Sequence, residues 1–209
     1  KGLLPKQIPC CTGERSRVTD KKLNRVSPNN KKLTVAQVSL ADTQLCEETL
    51  KTAYHFYPWY RATSLESRIE MAMKLANILE RDRLRLAALQ TLEVGKPWKE
   101  ADADIAEAVD FCCYYARQAA VELAPLKQGN VWGEDNILSY EGRGPTVVIA
   151  PWNFPLAILC GMSVASLISG NPTIIKPAEQ SSVTGYELYK AFLEAGFSKN
   201  VIHFLPGVG

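Results

Sequence analysis

Glycine-rich phosphate loops, metal-ligand clusters and long apolar runs are all missing from this chain. No G-x-G-x-x-G occurs, so the usual dinucleotide fingerprint is absent, and Gly207-x-Gly209 alone is a weak signal. Histidine is scarce: His55 and His203 are the two present, neither has a partner at useful spacing, and both read as structural. The six cysteines, Cys10, Cys11, Cys46, Cys112, Cys113 and Cys160, form two adjacent pairs and two singles. They match neither a disulfide framework nor CxxC metal spacing, so no metal is expected. They read as reduced thiols of a cytoplasmic protein. The longest apolar stretch, Pro155 to Gly170, is interrupted by Gly161, Ser163, Ser166 and Ser169. It falls short of the roughly 20 residues needed to span a bilayer. Net charge is only +2 and no basic run interleaves with aromatics, so neither nucleic acid nor an anionic membrane is implied as a partner. An initiator Met and a signal-peptide h-region are also lacking at Lys1-Gly2-Leu3-Leu4-Pro5. The expectation is a product of processing, or of excision from a longer chain.

What is present suits one domain, or one domain with an appendage. The chain has 209 residues, 46% of them apolar and 22% charged, near ordinary globular values. Pro28-Asn29-Asn30 predicts a turn, Leu33 to Val38 a strand, and Asp42 to Phe56 a helix with Asp42 as N-cap. A stronger helix begins at Ser64. Ile69, Ala72, Met73, Ala76 and Leu79 form one apolar stripe on it, and Gly95 and Pro97 break it. A further helix is predicted from about Lys99 to Leu123, closed by Pro125 and Gly129. Residues 130–141 read as two short strands around a Gly133–Asn136 turn.

After Gly144-Pro145 the texture changes. Thr146 to Ala150 is a continuous apolar run, as a strand buried on both faces should be. A helix over Leu156–Ser169, a second buried strand at Thr173–Ile175, a helix over Val183–Ala195 ended by Gly196, and a third strand at Val201–Leu205 follow. The order β-α-β-α-β implies parallel strands with right-handed crossovers. The fold class is therefore α/β: a partial Rossmann-like parallel sheet, preceded by helices and a small β-hairpin arm.

Ligands of open α/β sheets bind beyond the carboxyl ends of the strands. Those ends are Pro151-Trp152-Asn153-Phe154-Pro155, Lys176-Pro177-Ala178-Glu179 and Pro206-Gly207-Val208-Gly209. Prolines fix such turns, glycines permit close backbone approach, and a Lys and a Glu offer a charge and an acceptor. The physics alone reaches a nucleotide-binding α/β fold.

These three segments and Gly170-Asn171, in this order and spacing, resemble the aldehyde dehydrogenase superfamily. The similarity covers nearly the whole chain and weakens before about residue 25. Upstream, Glu93-x-Gly-Lys-Pro-Trp-x-Glu-Ala-Asp-Ala-Asp104 and Glu107-Ala-Val-Asp-Phe111-x-x-Tyr-Tyr115 resemble the 1-pyrroline-5-carboxylate dehydrogenases and the dehydrogenase part of bifunctional proline utilisation enzymes. The resemblance implies that residues 1–129 are the N-terminal helical part of an NAD-binding domain. It likewise implies that 130–145 are an oligomerisation arm and 146–209 the first half of the NAD-binding sheet, with the catalytic domain outside this sequence. The implied activity is NAD-dependent oxidation of L-glutamate 5-semialdehyde to L-glutamate by a homo-oligomer. Another aldehyde as substrate, or a non-catalytic binding fragment, are the alternatives.

Roles follow from the same resemblance. Asn153 would donate to the oxyanion formed when a cysteine thiolate attacks the aldehyde; as an isolated residue it would be an Asx-turn former. Lys176 and Glu179 resemble the pair that bonds the adenosine ribose hydroxyls of NAD, with Ala178 between them. Glu179 would repel a 2′-phosphate and so favour NAD over NADP. Gly209 resembles a glycine lying against the adenine, or is a plain turn residue. Ala150, Pro151 and Trp152 would offer backbone atoms near the nicotinamide. Phe154 would wall the substrate tunnel, and Glu107 would pair with the substrate ammonium; the bland readings are a core Phe and a solvated helix acid. Glu100, Asp104 and Asp110 read as a solvated face. Cys160 is rejected as nucleophile because a buried thiol is inert. The family's nucleophilic Cys and general-base Glu follow later motifs, so the chain by itself is expected to turn over no aldehyde.

Overall fold

The computed structural model describes residues 7–208. Five strands come first: β1 (Gln7–Ile8), β2 (Cys10–Thr12), β3 (Arg15–Arg17), β4 (Lys22–Ser27) and β5 (Asn30–Ser39). β4 and β5 form a hairpin closed by Pro28-Asn29, and β1 pairs parallel to β5. The strand expected at Leu33–Val38 is part of β5, and the expectation of a helical part reaching back to residue 1 is corrected over the rest of Gln7–Ser39. Val35, Ala36 and Val38 are buried there beside exposed Lys31 and Lys32, and the β-branched content of Leu33–Val38 extends into neighbours that carry little pattern of their own.

Helix α1 (Thr43–Arg61) starts where Asp42 accepts from the Leu45 amide at 2.7 Å. It runs past Phe56 and through Pro58. Tyr60 holds this last turn to the body, since its ring is buried and its hydroxyl donates to the Leu167 carbonyl at 2.9 Å. The expected helix from Ser64 is two helices, α2 (Leu65–Arg81) and α3 (Arg83–Val94), jointed at Asp82. The Asp82 carboxylate accepts from Arg81 and Arg85 on either side of that joint. The buried stripe of α2 is Arg68, Ala72, Leu75, Ala76 and Leu79, with Met73 exposed. It is rotated from the expected stripe because α2 packs against α4, α5 and α6 together. Gly95, at φ 72°, ends α3 in the left-handed conformation that a side chain would disfavour.

Helix α4 (Trp98–Glu122) follows Pro97. The small hairpin is β6 (Leu126–Lys127) against β7 (Ile137–Leu138), so it begins before residue 130 and its turn is wider than expected. Its apolar residues Leu126, Ile137 and Leu138 are exposed, as is Trp132 in the turn.

The last third matches the expected order: β8 (Thr146–Ile149), α5 (Ala157–Ile168), β9 (Thr173–Lys176), α6 (Ser182–Ala195) and β10 (Ile202–Phe204). β8, β9 and β10 are parallel, and the sheet continues antiparallel into β2 and β3, giving the order β3-β2-β10-β9-β8. Two right-handed crossovers stepping in one direction put α5 and α6 on one face. Val148 and Ile175 sit under them in the main core. The other face is covered in part by α1, through a small cluster of Cys10, Leu45, Ile174 and Leu205. β8 lies beyond that cover. Val147 and Ile149 are 55% and 65% exposed, so the expectation of burial on both faces of this strand is corrected. Among the described residues, no helix is long and apolar enough to cross a membrane.

Candidate functional site

Three parallel strands end on one edge, and the turns that leave them are the candidate site. Ala150 closes β8, buried and donating its amide to the Lys176 carbonyl at 3.4 Å. Pro151, Trp152, Asn153 and Phe154 then stand exposed. The chain re-enters the core at Pro155 and Leu156. Lys176 and Ala178 are half-buried at the end of β9, and Glu179 opens a 3-10 turn (Glu179–Ser181). The Ala178 carbonyl accepts from the Ser181 amide at 3.0 Å and from the hydroxyls of Ser181 and Ser182. Gly209 lies outside the described residues.

Four of the predicted site residues, Lys176, Trp152, Glu107 and Phe154, line three separate hollows. The Lys176 side chain lines one of about 500 Å³, with Leu40, Ala41, Pro206, Gly207 and Val208. Gly207 lies directly against it: a Cβ there would meet Lys176 Cε at 3.7 Å. Trp152 lines a second, of about 570 Å³, with Arg25, Pro28, Glu93 and Gln180. Glu107 and Phe154 both line a third, of about 200 Å³, together with Lys96, Glu100, Ala103 and Asp104. The structure therefore brings together the two predicted substrate residues beside the Asn153 turn. It does not put Lys176 and Glu179 in one hollow; the Glu179 carboxylate accepts from its neighbour Gln180 at 3.5 Å.

Asp104 corrects the reading of a solvated acidic face. Glu100 and Asp110 are exposed, but Asp104 is 2% exposed. Its carboxylate accepts from the amides of Leu156 and Ala157, at 3.2 and 3.4 Å, from Gln90 Nε2 at 2.8 Å, and from Lys96 Nζ at 3.4 Å. Helix α5 has no side-chain cap of its own. Asp104 supplies that cap from 52 positions upstream. Burial raises the Asp104 carboxyl above its usual range, while Lys96 and the three N–H donors pull it down.

Glu93 does the same for α6, which likewise lacks a cap of its own. It is fully buried, and its two oxygens accept from the Val183 amide, the Thr184 amide and the Thr184 hydroxyl, each at 2.7 Å. Burial pushes this carboxyl up to about 7, against the pull of those donors. Both helix N-termini that face the strand ends are thus filled by the protein's own carboxylates. An anionic ligand finds no seat on either, which fits the missing glycine-rich fingerprint. Glu93 and Asp104 both lie in the upstream segment quoted above. Sequence reasoning missed their role because the helices they cap lie 90 and 52 residues away. The available signal was an absence: Leu156 stands where α5 wants a Ser, Thr, Asp or Asn.

The thiols and histidines stay outside this chemistry. Cys160 is buried, with its sulfur 3.6 Å from that of Cys112, and its pKa is raised by that contact and by burial. Burial pushes the Cys10 thiol up to about 12. His203 is buried with Nδ1 accepting from the Gly13 amide at 3.2 Å. His55 is exposed and meets Phe56 edge-on. Among the described residues, no group of His, Cys, Asp and Glu could hold a metal ion.

Comparison with known proteins agrees with this fold. The 1-pyrroline-5-carboxylate dehydrogenase of Geobacillus sp. (strain WCH70) is 40% identical over 210 residues, 99% of this chain and 40% of that protein. The enzyme of the same name from Bacillus subtilis (strain 168) is 37% identical over 208 residues. A crystal structure of proline utilization A from Bdellovibrio bacteriovorus superposes with a TM-score of 0.94 at 44% identity, covering 99% of this chain and 22% of that one. A 1-pyrroline-5-carboxylate dehydrogenase from Thermus, solved with bound NAD, superposes at 0.93 with 37% identity, again over 99% of this chain and 40% of that one. The chain thus spans 40% of the length of the curated relatives it matches. The model of the aldehyde dehydrogenase family matches residues 16–209, and the chain belongs to that family.

Proposed function

We propose that the full-length protein carrying this chain oxidises L-glutamate 5-semialdehyde, the open form of 1-pyrroline-5-carboxylate, to L-glutamate with NAD. The observation that carries this reading is the third hollow, which Glu107 lines together with Phe154, the residue that follows Asn153. A substrate with an aldehyde at one end and an ammonium at the other needs a donor to the developing oxyanion and a carboxylate several ångströms away. Asn153 supplies the first from an exposed turn, and Glu107 the second from α4. Relatives named for this activity match over the same residues.

Lys176 and Glu179 would hold the adenosine ribose, with Ala178 between them, and Ala150, Pro151 and Trp152 would line the nicotinamide end. The fit rests on the Lys176 hollow, whose size suits a nucleoside and whose wall is mostly apolar, with the ammonium groups of Lys176 and Lys21 and the Glu47 carboxylate among its lining. Gly209 would extend that wall beyond Val208. NAD, when bound, accepts the hydride. This chain's residues bind and orient it, and Glu179, accepting from a ribose hydroxyl, disfavours a 2′-phosphate. The exposed apolar residues of the β6–β7 hairpin would pack against another subunit in a homo-oligomer, since a two-stranded ribbon is marginal alone. The free thiols fit a reducing cytoplasm.

The test is kcat/KM of the full-length enzyme for 1-pyrroline-5-carboxylate and for propanal, each with NAD and with NADP. The expected result is preference for 1-pyrroline-5-carboxylate and for NAD. Glu107→Gln should raise KM for that substrate about tenfold or more while leaving propanal unaffected, because a hydrogen bond to a charged group is worth on the order of 1.5–3 kcal/mol. Equal turnover of both aldehydes, or equal effects of the substitution on both, would exclude this substrate.

A further inference from the structure

The segment between α3 and α4 is three residues, Gly95-Lys96-Pro97. Its middle residue does more than connect. Gly95 takes a positive φ, and a residue that precedes proline is confined to extended backbone, so the backbone at Lys96 has little freedom. The side chain is only 9% exposed, unusual for a lysine. Its ammonium makes three contacts. It donates to the backbone carbonyl of Asn153 at 2.8 Å. It sits over the Phe154 ring, 4.3 Å from the centroid. It pairs at 3.4 Å with Asp104, whose side chain is fully buried.

We propose that Lys96 is a positioning residue that fixes the Asn153–Phe154 turn in its working geometry. The inference rests on the functional reading above and deepens it. The Asn153 carbonyl belongs to the peptide that joins Asn153 to Phe154, so the bond from Lys96 sets the orientation of that peptide plane. The stacked ammonium holds the ring that follows. Two residues further on, the Asp104 carboxylate takes the amides of Leu156 and Ala157. One ion pair, Lys96 with Asp104, therefore grips both ends of the five-residue stretch Asn153–Ala157, which otherwise starts exposed. Gln90 Nε2 completes the grip from α3, bonding Asp104 at 2.8 Å. Oxyanion donors work through preorganisation, and the Asn153 amide can be preorganised only if its own backbone is. Lys96 touches no reacting atom in this arrangement; it acts through Asn153.

A double-mutant cycle in the full-length enzyme tests this. Lys96→Met, which keeps the apolar stem, should lower kcat at least tenfold with KM for NAD unchanged. In an Asn153→Ala background the same change should cost little further, because the donor it positions is gone. Lys96→Arg should recover part of the loss, and it replaces the Met variant in the cycle if that variant does not fold. Hydrogen exchange at the Asn153 and Phe154 amides should quicken in Lys96→Met whatever aldehyde the enzyme uses, which separates this inference from the substrate assignment. The cycle is run on whichever aldehyde the enzyme turns over. An unchanged kcat, the same fold-loss in both backgrounds, or unchanged exchange at those two amides would overturn it.

Discussion

A buried carboxylate that accepts three hydrogen bonds is under two opposed influences, and Glu93 shows both. Loss of water favours its protonated form, and the three donors favour the charged one. Its pKa stands near 7, so the folded state gains a proton on this side chain as pH falls from about 7 towards 4.5. Its contribution to stability rises over that interval. Glu93→Gln leaves the buried donors of Val183 and Thr184 with one acceptor oxygen and an opposing NH₂. The expected cost is on the order of 2 kcal/mol at pH 8, read from a urea midpoint; a loss below a few tenths would show that the cap is not needed. His203 acts with the other sign. Burial lowers its pKa to about 4, while the unfolded chain protonates near 6.5. Below 6.5 the unfolded state takes up the proton first, so stability falls as pH falls from about 6.5 to about 4, by at most on the order of 3 kcal/mol. Since Glu93 titrates in both proteins, the difference between wild type and His203→Gln isolates the histidine. That difference should shrink on acidification through this window, and a constant difference would show that His203 does not titrate there. Sequence could mark Glu93, Lys96 and Asp104 as a group by resemblance, but not as buried. For Glu93 and Asp104, nothing at i±3 or i±4 on their helices reveals a partner that arrives from another helix's first turn.

At the scale of elements, the periodic segments were legible and the joints were not. α4, α5 and α6 fall close to their expected spans because apolar spacing and Gly or Pro stops agree there, whereas α1 starts at its expected cap and runs on through Pro58. The joint at Asp82 was invisible, since no Gly or Pro marks it and the break is held by side-chain bonds to Arg81 and Arg85. The early strands were largely hidden because β1, β2 and β3 are two or three residues long, below the length at which alternation can be read. α6 depends on close approach to the turn that follows β9. A Cβ on Gly185 would lie 2.8 Å from Pro177 Cβ and 3.3 Å from Leu159. Gly185→Ala should therefore destabilise the protein. Overpacking costs about 1–3 kcal/mol, more than the roughly 1 kcal/mol that Ala gains over Gly in a helix. A variant with a higher urea midpoint than wild type would contradict that packing.

For the whole molecule, the parallel order of β8, β9 and β10 decides where the chemistry can lie, and that order was legible from three apolar runs separated by two helices. The mixed extension into β2 and β3 was not, because the residues that pair Cys11 with Phe204 are nearly two hundred positions apart. Of the site, the three strand-end turns were readable as turns with special residues; the hollows that sort them, and the ion pair that grips one of them, required the packed structure. The proposed chemistry turns on Asn153 standing at the reacting centre. The direct measurement is kcat for 1-pyrroline-5-carboxylate with NAD in the full-length enzyme and in Asn153→Ala, with the attack on the aldehyde rate-limiting. A fall on the order of 100-fold with little change in KM for NAD is expected, and an unchanged kcat would remove Asn153 from the reacting centre.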